Sequence, residues 1–339
     1  MTHTVRDVLH ALHRISRGRV VVEAADLLFS NNACVVTKTS HIPGKAVTEL
    51  PGLVVGRLDD AVGKVGLVMS LTENFIELAG ALEIDVLIVH HPVADAASSG
   101  GVLLRDYLDL YGISLFEFHE AFHGTHPGVS YLHGFVAKTI YTSYLGNPGV
   151  NVYVGEVLPG IHTLGDMCGR VERLMNVREE DEMLLAERRV RNDHQLEETL
   201  VRTKVEILLG SKDSPVSRVV QFAPHSGFNP ALLEQILRSH PDIDTLIAAK
   251  GRLRRDHPLV RKAKTLGLNV LNGNSHGYEI YENWMPLAAA LESLLPGIPL
   301  YLLRERVTAT LTTGVGTPEL REYARLMADT HLLTSKAPK

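Results

Sequence analysis

Histidine is the residue type with the most evident chemical potential in this chain. The 339 residues include 17 histidines. Those that follow predicted strands are His90, His91, His119, His123, His126 and His276, and Glu279 stands three residues after His276. Imidazole combined with carboxylate is a ligand set for Zn, Fe, Mn, Ni or Co, whereas Mg or Ca requires more oxygen donors. These residues therefore predict a site for divalent transition metals.

The adjacent pair His90 and His91 favours two ions over one. Neighbouring side chains of a strand point to opposite faces, so these two imidazoles do not naturally chelate a single ion. His276 and Glu279 would lie on one face of a helical turn. A lone histidine is more often a hydrogen-bonded core residue, and it is the convergence of several that favours metal ligands.

The elements that must position these residues follow a strand-helix-strand order. The predicted elements are a strand at Val65 to Ser70, a helix at Thr72 to Leu82 with Thr72 as its N-cap, a strand at Val86 to Val89, a helix at Leu103 to Tyr111, and a strand at Ile113 to Phe118. Strands joined by helices are parallel, and the functional loops of a parallel sheet follow the carboxyl ends of its strands. His90, His91 and His119 stand at such ends.

A similar order recurs in the second half of the chain. A strand at Arg218 to Phe222, a helix at Pro230 to Ser239 and a strand at Thr245 to Ala249 follow one another, and IDVLI from Ile84 is echoed by IDTLI from Ile243. We therefore predict an α/β fold of two similar lobes, with mainly parallel sheets flanked by helices. A chance echo is the alternative, because such units are common.

The predicted domains follow from this repeat. The first lobe covers residues 1–150 and carries the His-His motif, and the second covers residues 151–310. Residues 177–200 are densely charged in both signs, which indicates an exposed helical insertion in the second lobe. Residues 311–339 are expected to form a C-terminal helix and a loose tail.

Other polar residues follow predicted strands of both lobes. His225 and Glu120 are the candidates for a general acid or base that does not bind metal. Lys250 and Arg252 follow the second lobe's equivalent of the strand before His90, where they could hold an anionic substrate group such as a phosphate. A solvated surface loop is the alternative for these two cations.

Composition excludes several classes of protein. With 34 Lys and Arg against 39 Asp and Glu, the net charge is −5, so no broad basic face for nucleic acid is expected. Cys34 and Cys168 are far apart and outside any CxxC spacing, which indicates a reducing compartment without a disulfide framework. No apolar run approaches the roughly 18 residues that cross a bilayer. We expect a cytoplasmic protein with neither nucleic-acid nor membrane partners.

Four segments resemble a known family. The segment Pro51 to Pro92 is similar to the N-terminal signature of the NIF-three-like dimetal family, often described as GTP cyclohydrolase type 2 homologues. Residues 222–235, 243–257 and 268–282 resemble that family's glycine-rich strand-turn, its second-lobe strand with a polar loop, and its closing His and Glu motif. The likeness covers most of residues 5–300 and is weakest in the charged insertion.

The resemblance implies a fold, a site and an assembly. It implies two α/β lobes with two metal ions in the cleft between them, and a toroidal homohexamer. The ligands it implies are His90 and His91 from the first lobe and His276 and Glu279 from the second, with Glu279 as the bridging carboxylate. The family usually places an Asp four residues after the His that follows the third strand, and His123 occupies that position here. We therefore expect His123 as a further ligand.

This sequence departs from the family pattern in ways that affect charge. An Asp ligand removes one positive charge and a neutral imidazole removes none, so two divalent ions balanced by Glu279 alone would keep three. Nearby carboxylates of Glu117, Glu120 or Glu282 could compensate, or one ion could bind weakly. Two further departures are the three-residue spacing from His276 to Glu279 and the presence of Ser70 where an Asp often ends the first strand. An alternative is that His119 is the ligand and His123 supports it.

Two functional hypotheses follow. The first is a metal-dependent hydrolase, cyclohydrolase-like by resemblance, that acts on a nucleotide or a related purine or phosphoester. The second is a metal-binding or regulatory scaffold without turnover. Both require the same metal ligands. A general acid or base that does not bind metal, for which His225 and Glu120 are the candidates, would favour the enzyme, which would act on a small-molecule substrate.

Overall fold

The protein is described from a computed structural model. The described residues are 2–23, 26, 32, 34–39, 46–91, 104–123, 125–126, 128–141, 151–192, 196–222, 229–248, 253–274, 284–304, 308–314 and 317–333. The chain divides into two compact units. The first contains residues 1–126, 283–315 and 321–339, and the second contains residues 127–282 and 316–320.

The strands of the described residues are short, and most have two to five residues. They are β1 His3–Thr4, β2 Val36–Thr39, β3 Ala46–Glu49, β4 Gly52–Val55, β5 Ala61–Val62, β6 Val65–Val68, β7 Val86–Val89, β8 Ser114–Glu117, β9 Phe135–Tyr141, β10 Asn151–Val157, β11 Glu206–Leu209, β12 Arg218–Phe222, β13 Thr245–Ala248, β14 Asn269–Asn272, β15 Leu300–Arg304 and β16 Thr308–Leu311.

The helices alternate with these strands. They are Val5–Ile15, Glu73–Ala81, Leu104–Tyr111, Gly128–His133, Leu164–Leu174, Val177–Arg191, Thr199–Arg202, Pro230–Ser239, Pro258–Thr265, Met285–Leu294 and Pro318–Met327, with a 3-10 turn at Thr312–Gly314 and a π-helix at Ala328–Leu332. Within the described chain, none of these helices is both long enough and apolar enough to cross a membrane.

The first unit is built on a six-stranded sheet in the order β16-β15-β6-β7-β8-β4. The four central strands are parallel, and the two edge strands, β16 and β4, are antiparallel to their neighbours. Every residue of β6, β7 and β8 is buried, as is typical of parallel strands covered on both faces. Leu87, Val89 and Leu115 of these strands pack against Ile76 and Leu108 of the flanking helices.

The second unit repeats this plan with a six-stranded sheet in the order β11-β14-β13-β12-β10-β9. Strands β12, β13 and β14 are parallel and are joined by helices, as β6, β7 and β8 are in the first unit. The other three strands pair antiparallel. The prediction of two similar α/β lobes is confirmed, and the echo from Ile84 and from Ile243 marks equivalent strands, β7 and β13.

Local sequence rules explain where the helices begin. Thr72 caps the helix Glu73–Ala81 by accepting a hydrogen bond from the backbone N–H of Phe75, as predicted. The charged insertion forms the helix Val177–Arg191, whose Arg178 contacts Glu182 one turn on at 3.1 Å. The predicted C-terminal helix is present at Pro318–Met327, and residues 334–339 lie outside the described part of the chain.

The boundaries of the compact units differ from the predicted ranges. The second unit begins at residue 127 rather than 151, and the chain returns to the first unit at residue 283 rather than continuing in the second to 310. The reason is that Leu300–Arg304 pairs in parallel with Val65–Val68, so a late segment completes the first sheet. Residues 127–282 are thus inserted between two segments that belong to the first unit.

The second unit contains a fully buried histidine, His133, at the end of the helix Gly128–His133. Its Nδ1–H donates to the carbonyl of Val129 at 2.8 Å. Burial lowers the pKa of His133 from 6.5 to about 4, and the nearby guanidinium of Arg170 acts in the same direction. His133 is therefore a neutral imidazole in the folded protein at neutral pH.

We predict that His133 makes the stability of the protein fall with acid. Between pH 6.5 and about 4 the unfolded chain binds a proton at this residue and the folded chain does not, so stability decreases as the pH falls through this range. At about pH 5 the contribution is about 2 kcal/mol relative to neutral pH. His133→Asn should reduce this pH dependence, measured as the difference between urea unfolding free energies at about pH 7.5 and about pH 5. The exposed His162→Asn should keep the dependence of the wild type, and equal dependence in all three proteins would contradict the prediction.

Candidate metal centre

The candidate ligands stand at the carboxyl edge of the first sheet. His90 and His91 directly follow β7, and His119 follows β8 after one residue, so parallel pairing brings them to the same edge. The backbone N–H groups of His90 and His91 donate to the carbonyls of Val68 and Met69 at 3.1 and 2.8 Å. The hydrogen bonding of the sheet therefore extends to the residues that carry the imidazoles and fixes their backbone.

A single helical turn places His123 beside His119. The backbone N–H of His123 donates to the carbonyl of His119 at 3.3 Å, and that of Phe122 donates to the same carbonyl at 2.9 Å. Residues four apart on such a turn share a face, and the two imidazole centroids are 4.5 Å apart. His126, which the spacing also indicated, instead packs against the ring of Phe122 at 5.4 Å.

Three imidazoles meet in one cluster formed by His90, His119 and His123. The Nε2 atoms of His90 and His123 are 3.2 Å apart, and the rings of His90 and His119 have centroids 4.6 Å apart. The potential ligand atoms of all three lie within 4.8 Å of one another. Their side chains are nearly buried, with His90 3% and His119 5% exposed.

The contacts of the other ring nitrogens define which atoms are available. The Nδ1 of His90 lies 3.3 Å from the carbonyl oxygen of Phe118, and the Nδ1 of His119 lies 2.9 Å from Oε2 of Glu49. The Nδ1 of His123 lies 3.5 Å from Oε2 of Glu120. The Nδ1 atoms of His90 and His119 face oxygen acceptors at hydrogen-bond distance, and the Nδ1 of His123 faces a carboxylate. We therefore assign the ring protons to Nδ1, which directs the Nε2 lone pairs into the cluster.

This arrangement fits a metal ion. The Nε2 atoms of His90 and His123 face each other at 3.2 Å, a contact that either a shared ring proton or a cation between the two lone pairs makes favourable. Two nitrogen ligands of one tetrahedral ion at about 2.05 Å would be about 3.3 Å apart. The distance between the Nε2 atoms is therefore compatible with shared coordination of one ion, and nitrogen donors favour Zn, Fe, Co or Ni.

His91 is the fourth histidine at this edge but is turned differently. Its ring centroid is 5.5 Å from that of His90 and 6.0 Å from that of His119. Its Nδ1 is 2.6 Å from Oγ of Ser70, the residue that stands where the family often has an Asp. His91 is outside the three-histidine cluster, as expected for neighbouring residues that point in different directions.

Carboxylates lie behind the imidazoles. Glu49 and Glu120 contact them directly, and Glu120 also places Oε1 3.6 Å from Nδ1 of His119. The carboxylate of Glu117 instead accepts a hydrogen bond from the backbone N–H of Leu50 at 2.9 Å. Sequence reasoning named Glu117 and Glu120 as compensating charges but missed Glu49, because Glu49 ends the short strand β3, far from any histidine in the sequence.

Several predicted site residues lie outside the described part of the chain. They are His225, Lys250, Arg252, His276, Glu279 and Glu282. Of the predicted metal ligands, the structure brings His90 and His123 together and adds His119. His119 and His123 were alternative predictions for the ligand after the third strand, and the structure places both in one cluster with His90.

The comparison with known proteins agrees with this architecture. Residues 35–99 match the family model described as Duf34/NIF3 (NGG1p interacting factor 3). Over this segment the chain is similar to the NIF3 family. The matched segment contains Glu49, the strands β6 and β7, and the pair His90 and His91. No functionally curated protein matches the chain.

Solved structures share the NIF3-like fold over most of their length. Reduced HcgD from Methanocaldococcus jannaschii is 13% identical with a TM-score of 0.55, and the match covers 89% of this chain and 98% of that one. TTHA1606 from Thermus thermophilus is 20% identical with a TM-score of 0.51 over 89% and 98% of the two chains. A Bacillus cereus protein related to NIF3 is 11% identical with a TM-score of 0.50 over 88% and 96%. At these identities the comparison establishes the fold alone.

We predict that all three histidines of the cluster are needed for metal binding. His90→Ala, His119→Ala and His123→Ala should each weaken Zn²⁺ binding more than about a hundredfold. Removing a residue that only contacts a ligand costs about ten- to a hundredfold in affinity, and losing a ligand itself should cost more. Affinity is measured by competition with a chromophoric chelator. His126→Ala is the matched control, because its ring packs against Phe122, and it should keep the affinity of the wild type. Wild-type affinity in the His123 variant would remove His123 from the ligand set.

Proposed function

We propose that this NIF3-like protein is a metal-dependent hydrolase that acts on a nucleotide or a related purine or phosphoester. The observation that supports the proposal is the pair of Nε2 atoms of His90 and His123 at 3.2 Å, in a buried cluster with His119. When both Nε2 atoms are unprotonated, their facing lone pairs repel each other in this buried environment, and a bound cation would remove the repulsion. A divalent ion bound there would lower the pKa of a water molecule and polarise a substrate oxygen.

The residues have separate proposed roles. His90, His119 and His123 would hold a first ion through Nε2, and we propose His91, His276 and Glu279 as ligands of a second. Zn, Fe, Mn, Ni and Co are the candidates, because imidazole is a softer donor than the oxygen ligands that Mg or Ca require. His225 is proposed for proton transfer, and Lys250 and Arg252 for binding an anionic substrate group.

A scaffold without turnover is the second candidate. It is favoured by the depth of the cluster, since His90 and His119 are 3% and 5% exposed and present little surface to a substrate. Under either function we propose a cytoplasmic homohexamer, on the strength of the family resemblance.

Metal analysis and a substrate screen test the proposed activity. Protein purified without chelator should contain a transition metal, and a panel of nucleotides and phosphoesters assayed with that metal should include a substrate that is hydrolysed. His90→Ala should lose both the metal and the hydrolysis, because it removes a ligand. A fully loaded wild-type protein that hydrolyses no compound of the panel would support the scaffold function instead.

We predict a homohexamer in solution. Light scattering coupled to gel filtration at micromolar protein concentration should give a mass six times that of the chain. A monomer under these conditions would refute the assembly without affecting the metal site.

A further inference from the structure

Two buried carboxylates contact the three-histidine cluster at the Nδ1 atoms of its rings. Glu49 is 1% exposed and its Oε2 lies 2.9 Å from Nδ1 of His119. Glu120 is 7% exposed and reaches two rings, with Oε1 3.6 Å from Nδ1 of His119 and Oε2 3.5 Å from Nδ1 of His123. Both carboxylates lie on the Nδ1 side of the rings, away from the Nε2 pair of His90 and His123.

His119 belongs to two alternative ligand groups. One is His90, His119 and His123, and the other is Glu49, His119 and Glu120. A neutral imidazole has one lone pair and one N–H, so it cannot serve both groups as a metal ligand at the same time. The 2.9 Å contact with Glu49 uses the Nδ1–H, which directs the Nε2 lone pair of His119 to the three-histidine cluster.

We propose that Glu49 and Glu120 are positioning residues of the metal centre: they hold His119 and His123 with the proton on Nδ1, and they supply the negative charge that the imidazole ligands lack. This inference rests on the proposed metal centre. It does not depend on whether the bound metal supports hydrolysis. It gives Glu120 a supporting role at the ligands, in place of the acid or base role predicted from sequence.

The charges of the cluster support this assignment. Three neutral imidazoles contribute no charge, so a divalent ion among them would leave two positive charges in a buried environment. When ionised, the carboxylates of Glu49 and Glu120 cancel those two charges at the distance of one imidazole ring. The negative charge that an Asp ligand would bring is thus supplied from the Nδ1 side of the rings, and the protein ligands of the ion would all be nitrogen atoms. This combination keeps the preference for Zn, Co or Ni over Mg.

A matched control distinguishes positioning from the general effect of losing a buried carboxylate. Glu117 is 3% exposed and is the last residue of β8, two residues before His119. Its carboxylate accepts a hydrogen bond from the backbone N–H of Leu50. Glu117→Gln should therefore lower stability without changing metal affinity. Glu49→Gln and Glu120→Gln keep the side-chain shape but remove the charge and allow an amide N–H₂ to face the imidazole, which permits the other ring tautomer.

The test uses Co²⁺ as the probe on the full-length protein. Co²⁺ affinity is measured by chelator competition, and the visible absorption of the bound ion reports its ligand geometry. We expect Glu49→Gln and Glu120→Gln each to weaken Co²⁺ binding by about ten- to a hundredfold and to change the visible spectrum. Glu49→Asp and Glu120→Asp should restore part of the affinity, since they return the charge at a longer distance.

The outcomes separate this inference from the proposed function. If both Gln variants bind Co²⁺ with the affinity and spectrum of the wild type, the positioning role is overturned and the metal centre stands. If the wild type binds no Co²⁺, both are overturned, whereas metal binding without hydrolysis overturns only the enzymatic proposal. Circular dichroism verifies folding, and if the deeply buried Glu49→Gln does not fold, Glu120→Gln decides the outcome.

Discussion

Two imidazole nitrogens that face each other at 3.2 Å are the constraint on which the site in the first unit depends. In a buried environment, lone pairs at this distance are unfavourable, and the neighbouring groups keep them in place. The carbonyl of Phe118 and the carboxylate of Glu120 face the opposite nitrogens of His90 and His123. These contacts favour the tautomers with the proton on the outer side of each ring, in which the inner side is a set of electron-pair donors.

The sheet supplies the rigidity that such an arrangement requires. His90 and His91 continue the hydrogen bonds of β7 beyond its last residue, and Phe118 does the same after β8 by donating to the carbonyl of Val89 at 2.8 Å. Because β6, β7 and β8 are buried on both faces, a shift of one strand would disturb the packing of the whole layer. Ligands placed at the ends of such strands are held more precisely than ligands on a loop.

The sequence predicted those features of the fold that depend on residues close together in the chain. The strand before His90, the helix begun by Thr72 and the repeat of the two lobes all follow from periodicity and capping, which involve residues close in the chain. The pairing of Leu300–Arg304 with Val65–Val68 and the contact of Glu49 with His119, 70 residues apart, leave no local trace. For the same reason the antiparallel edge strands and the return of the chain to the first unit were not predicted. Nothing near Glu49 in sequence distinguishes it from a carboxylate at the surface.

The position of the chain's single tryptophan gives the site an optical property of its own. Trp284 is 2% exposed, and its ring lies edge-on to that of His90 with centroids 6.1 Å apart. An indole at this distance exchanges excitation energy with any absorbing centre held by His90, while a buried indole is shielded from quenchers in solvent. An open-shell ion such as Co²⁺ would quench the fluorescence of Trp284, whereas Zn²⁺, with a filled d shell, would not. The intrinsic fluorescence of the unmodified protein would therefore distinguish a bound open-shell ion from bound Zn²⁺.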